Sequence, residues 1–102
     1  MIMKLQIHSI HFDADVKLLE FIQKKADKLE TFYDRIIDGE VFLKLDKSDV
    51  NENKITEIKL NIPGKQLFAS GRSASFEAAT DDAIEGLRRQ IKKHKEKLIP
   101  HL

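Results

Sequence analysis

The chain has 102 residues, 41% of them apolar, which is enough for one hydrophobic core; a second core would need more chain. Its charged fraction is 34%, yet 18 basic and 17 acidic residues leave a net charge of only +1, so any preference for nucleic acid must lie in where the charges sit. Cysteine is absent, which excludes disulfides and thiolate chemistry, and neither a membrane-spanning run nor a signal peptide is visible, so a cytoplasmic protein without membrane contact is expected.

Residues 3–8 alternate, with Met3, Leu5 and Ile7 on one side and Lys4, Gln6 and His8 on the other, predicting a strand with one buried face. Asp13 or Asp15 then offers an N-cap for a helix over residues 16–33. In that helix Leu18, Leu19, Ile22, Ala26, Leu29 and Phe32 recur at spacings of three and four and form one apolar stripe. Asp38-Gly39 reads as a turn. Val41, Leu43 and Leu45 mark a second strand and Ile58, Leu60 and Ile62 a third, joined through the polar loop 46–53. Pro63-Gly64 is a strong turn signal, since proline pre-sets one φ and glycine accepts a positive one. Leu67, Ala69 and Gly71 alternate with Phe68, Ser70 and Arg72 in a fourth strand. Ser73 or Ser75 caps a last helix that runs to about Leu98, with Phe76, Ala79, Ala83, Leu87, Ile91 and Leu98 inward, and Pro100 blocks its extension.

The order β-α-β-β-β-α favours a parallel crossover between the first two strands and antiparallel hairpins after them. One apolar face per strand and one stripe per helix predict an α+β fold: a four-stranded mixed sheet with two helices packed on one face, in a single domain over 1–102.

Charge is distributed unevenly along the last helix. Its first half carries Glu77, Asp81, Asp82 and Glu85 and no base; its second half carries Arg88, Arg89, Lys92, Lys93, Lys95 and Lys97 against Glu96 alone. Acids first and bases last complement the helix dipole, at about 0.3–1 kcal/mol each. The dipole explains that polarity, but crowding six cations together costs stability through like-charge repulsion. At about 100° per residue, Arg88, Lys92 and Lys95 form one stripe and Arg89, Lys93 and Lys97 another. The first helix is split lengthwise, with Lys17, Lys24 and Lys28 on one flank and Glu20, Asp27 and Glu30 on the other. Should its basic flank meet the last helix, a positive channel suited to a phosphate backbone results; should it face away, the patch is confined to one helix. Lys25 falls within the apolar stripe, either snorkelling past it or placed to contact a phosphate at the helix seam.

Signals for catalysis are weak. His8-Ser9-Ile10-His11 has H-x-x-H spacing at a strand end, with no cysteine and no evident third ligand. No nucleophile elbow and no phosphate-cradling glycine loop is present. No enzyme activity, metal, cofactor or small-molecule substrate is expected.

The stretch Leu87-Arg88-Arg89-Gln90-Ile91-Lys92-Lys93-His94-Lys95 resembles the last-helix signature of the ribosome hibernation promoting factor and ribosome-associated inhibitor family, also called sigma modulation proteins. Lys25-Ala26-Asp27-Lys28-Leu29 is similar to the family's first-helix segment, and the element order and length resemble its short form. Two positions depart from the pattern: Glu77 stands where a tyrosine is usual, and His94 where another aromatic is. The resemblance implies a ribosome-binding domain that occupies the decoding region of the small subunit, contacts ribosomal RNA, and halts translation by excluding messenger and transfer RNA. It also implies that Lys25, Lys28, Arg88, Arg89, Lys92, Lys93 and Lys95 contact RNA. Lys97, Lys24 and Arg72 join them on charge placement alone. A monomer off the ribosome is expected. Two other readings stay open: a different RNA-binding domain of this topology, such as a double-stranded RNA binder, and an adaptor whose acidic first half of the last helix docks a basic protein.

Overall fold

In a computed structural model describing residues 3–48 and 50–98 (main chain only at Leu98), these patterns resolve into six elements: β1 (Leu5–Ser9), α1 (Val16–Phe32), β2 (Asp38–Leu45), β3 (Lys54–Ile62), β4 (Lys65–Ser73) and α2 (Phe76–Leu98). The sheet order is β1-β2-β3-β4. β1 runs parallel to β2, and β2, β3 and β4 are antiparallel neighbours. The α1 crossover makes the first pairing parallel, as the element order requires.

Local chemistry sets the boundaries. The Asp15 carboxylate accepts from the Lys17 N–H at 2.9 Å and caps α1. The helix ends at Tyr33, which turns extended and still donates its N–H to the Leu29 carbonyl. Pro63-Gly64 forms the two-residue link between β3 and β4, with Gly64 at φ +75°, as a turn with proline first and glycine second demands. Ser75 caps α2, its hydroxyl accepting from the Ala78 N–H at 3.1 Å. Pro100 lies outside the described residues, as does the side chain of Leu98.

Asp38-Gly39 is not a turn: both residues belong to β2, and the chain turns earlier, at Asp34-Arg35. Gly39 is buried in the strand, where an added Cβ would lie 2.8 Å from Leu60 and 2.9 Å from Leu5. Close approach of neighbouring side chains, rather than a bend, is what requires glycine here.

Strand residues Val41, Leu43, Ile58, Leu60, Leu67 and Ala69 point to one side of the sheet and form a single core with Ile22, Ala26 and Leu29 of α1 and Phe76, Ala83, Leu87 and Ile91 of α2. Each fully buried leucine or isoleucine contributes roughly 1.5–3 kcal/mol. α2 crosses β3 and β4 and lies beside α1. α1 is tied to the segment entering β1: the Gln23 amide donates to the Met3 carbonyl, and Asp27 accepts from the Met3 N–H, both at 2.9 Å. Asp27 of the acidic flank thus meets the segment entering β1, while Lys25 and Lys28 lie toward α2.

Candidate nucleic-acid interface

The two helices meet along a seam, which takes Lys28 alone from the basic flank of α1, together with Lys25 from its apolar stripe. Lys25, Lys28, Phe32, Asp81, Glu85 and Arg88 line a groove there of about 620 Å³, floored by Leu29 and Ile84. Lys25 does not escape into solvent. Its ammonium pairs with Asp81 at 3.1 Å and sits 5.4 Å from the centre of the Phe21 ring. Arg88 pairs loosely with Glu85 at 3.5 Å, and its guanidinium lies 5.3 Å from the centre of Phe32. Lys95 reaches from α2 to α1 to donate to the Phe32 carbonyl at 2.9 Å, its ammonium 4.5 Å from the same ring. Phe32, counted in the sequence as part of the apolar stripe, thus receives two cations from the neighbouring helix.

The remaining candidates separate into groups. Lys92 is exposed on α2. Arg89 and Lys93 lie on the far flank of α2, against the rim of the sheet at β4. Lys97 is exposed on the last turn, and Lys24 is exposed on α1 without lining the seam. Lys24, Lys28, Arg89, Lys92, Lys93 and Lys97 form no ion pair with any of the described residues.

Arg72 stands apart. It alternates with the buried residues of β4 and so projects from the sheet face opposite the helices. There it pairs with Asp46 at 2.9 Å and donates to the Glu52 carbonyl at 3.1 Å, fastening the β2–β3 loop. The Ser48 hydroxyl and backbone N–H, followed by Arg72, pull the Asp46 carboxyl down to about 2. Asp46 is therefore ionised at neutral pH and Arg72 is already engaged.

The histidines have neighbours of their own. His8 stacks on Phe42 with ring centres 4.9 Å apart and approaches Glu40 at 3.2 Å; His11 occupies a left-handed turn at φ 65°. His94, at a family departure, packs edge-on against Tyr33 at 5.9 Å.

Sequence reasoning missed three contributors. Asp81 and Glu85 read as ordinary first-half acids of a helix, yet they meet cations at the seam. Gln90 donates to the Phe68 carbonyl at 2.6 Å and binds α2 to the sheet rim. The Asp81 and Gln90 contacts depend on the register between elements, for which sequence spacing holds no signal, whereas Glu85 and Arg88 are three residues apart on one helix and could have been paired from spacing.

Comparison with known proteins places this geometry in context. The sequence model of the family described as sigma 54 modulation protein / S30EA ribosomal protein matches residues 5–99. The ribosome hibernation promoting factor of Escherichia coli (strain K12) is 34% identical over 99 residues, covering 97% of this chain and 100% of the relative. The protein of that name from Pseudomonas putida is 32% identical over 95 residues, covering 93% of this chain and 89% of the relative. Two solved structures share the fold at 22% identity, each covering 92% of this chain and 99% of the other. They are a ribosomal subunit interface protein from Coxiella burnetii, with a TM-score of 0.82, and the N-terminal domain of Thermus thermophilus Protein Y, with a TM-score of 0.75. Matched from its first strand to the end of its last helix, the chain belongs to the sigma 54 modulation protein / S30EA ribosomal protein family.

Proposed function

We propose that this protein is a ribosome hibernation factor: a single-domain cytoplasmic protein that binds the decoding region of the small ribosomal subunit through the basic faces of α1 and α2. It contacts ribosomal RNA there and stops translation by filling the path of messenger and transfer RNA, with no chemical step. It is a monomer off the ribosome. The observation that carries the reading is the set of exposed cations on the second half of α2, Arg89, Lys92, Lys93 and Lys97, which pair with no acid among the described residues, in a chain whose net charge is only +1. Six like charges over ten residues oppose helix stability, and a polyanion is the partner that reverses that cost. Relatives named ribosome hibernation promoting factor support the choice of ribosome over isolated duplex RNA. Among the described residues no helix is long and apolar enough to cross a membrane.

The adaptor reading is disfavoured by geometry, because Asp81 and Glu85 already face Lys25 and Arg88. The test is Lys92→Glu with Lys93→Glu. At about 1.5 kcal/mol per lost charge-assisted contact, binding to purified small subunits weakens by about 100-fold or more, while circular dichroism stays unchanged. Undiminished cosedimentation of the folded variant refutes the proposal. Capture of a single protein that survives nuclease, in place of subunits, supports the adaptor instead.

A further inference from the structure

The two cationic stripes of α2 occupy opposite flanks with different surroundings. The Arg88 and Lys95 flank faces α1, where acids and the Phe32 ring temper it. The Arg89 and Lys93 flank opens onto the sheet rim, where Ser70, Asp82, Gly86, Arg89, Gln90 and Lys93 line a second groove of about 340 Å³.

That groove presents donors from main chain as well as side chains. β4 is an edge strand, so half of its amides have no strand partner. The bond from Gln90 to the Phe68 carbonyl shows that Phe68 turns its main-chain groups off the sheet. Two residues along, Ser70 turns its N–H the same way by strand alternation, while its side chain projects from the opposite sheet face, as that of Arg72 does. Gly86 sets how near α2 runs to this rim, since a Cβ there would stand 3.0 Å from Ala69. Arg89 and Lys93, one turn apart and in no ion pair among the described residues, line the groove. Asp82, a carboxylate at the N-terminal end of the groove, repels an anion from that end and confines it beneath the two cations.

We propose that this rim groove is a second track for RNA backbone, separate from the helix seam, so that the second half of α2 seats as a blade between two phosphate tracts. Arg89, Lys93 and the Ser70 amide hold one tract; Lys28 and Arg88 at the seam hold the other. A peptide strand added to β4 is the rival occupant. It would have to displace Gln90 from the Phe68 carbonyl, and it would leave both cations without an anion, so RNA backbone fits better.

The inference rests on the reading that the protein binds ribosomal RNA. Hydroxyl-radical footprinting of purified small subunits tests it, at protein concentrations raised until each variant reaches comparable occupancy. The wild-type chain protects two separate backbone tracts. Arg89→Gln with Lys93→Gln exposes one and keeps the other, and Lys28→Gln with Arg88→Gln does the reverse; the retained tract in each case certifies a folded protein. Loss of the same nucleotides in both variants, or an unchanged footprint with Arg89→Gln and Lys93→Gln, overturns the two-track arrangement alone. A wild-type chain that protects no RNA overturns the underlying reading as well.

Discussion

Thr56 and Thr80 place two hydroxyls 3.2 Å apart in the core, both residues fully buried, where β3 faces α2. Their bond satisfies both groups away from water. Thr80→Val keeps the shape but leaves the Thr56 hydroxyl without that partner, so stability falls by about 1–3 kcal/mol in urea unfolding. Thr56→Val combined with Thr80→Val removes the orphan and recovers most of the loss; a double variant as unstable as the sum of the singles would mean that the hydroxyls do not interact. What the sequence discloses at this scale is whatever a residue does to its immediate neighbours. Asp15 and Ser75 are caps because their side chains reach N–H groups two or three residues on. Lys25 was visibly odd at its angle, but its partner Asp81 belongs to another helix, and neither spacing nor composition encodes that meeting. Buried Thr80 was missed for the same reason, because a threonine beside Ala79 looks polar until a second hydroxyl is brought to it.

Among the elements, α2 and β4 approach so closely that one missing side chain decides their distance. A Cβ on Gly71 would lie 2.0 Å from the Ala79 carbonyl oxygen and 2.9 Å from the Asp82 Cβ. The obstacle is main chain, which cannot swing aside, so Gly71→Ala forces the helix outward. The expected cost is ~1–3 kcal/mol, a fall in melting temperature of several degrees for a domain of this size, read by thermal circular dichroism. A melting temperature equal to that of the wild type would show that α2 shifts freely. Gly39 explains why glycine is hard to read, since the same residue marks turns and tight contacts; Gly71, flanked by clear alternation, reads correctly as strand. The pair Asp38-Gly39 reads as a turn and is strand, where Leu5 and Leu60 crowd it from both sides. The order and type of elements were legible all the same, since period-two and three-to-four spacings are local properties of the chain.

Over the whole molecule, the near-zero net charge hides two unlike surfaces. The sheet face away from the helices engages its cations: Lys44 pairs with Glu57 at 2.8 Å, Arg72 pairs with Asp46, and Lys59 lies over the Phe42 ring. α2 instead leaves most of its cations without an acidic partner among the described residues. Composition could not show this partition, although the crowding of bases late in α2 hinted at it. If four to six phosphates are neutralised, the logarithm of the binding constant falls against the logarithm of salt concentration with a slope between about −3 and −5. Titrating small-subunit binding from low to physiological potassium chloride measures it. A flat response would mean that shape or apolar contact, rather than charge, carries the attachment.

Lys95 gives the pair of helices one more property. α1 has no basic residue in its last turn, and the partial negative charge of its carbonyl end goes unanswered from within. The ammonium that answers it is lent by α2, through the bond to the Phe32 carbonyl. Fraying of either terminus strips the other of its tether, so amide exchange at the two helix ends rises and falls together, as one small unfolding unit assembled from distant stretches of chain.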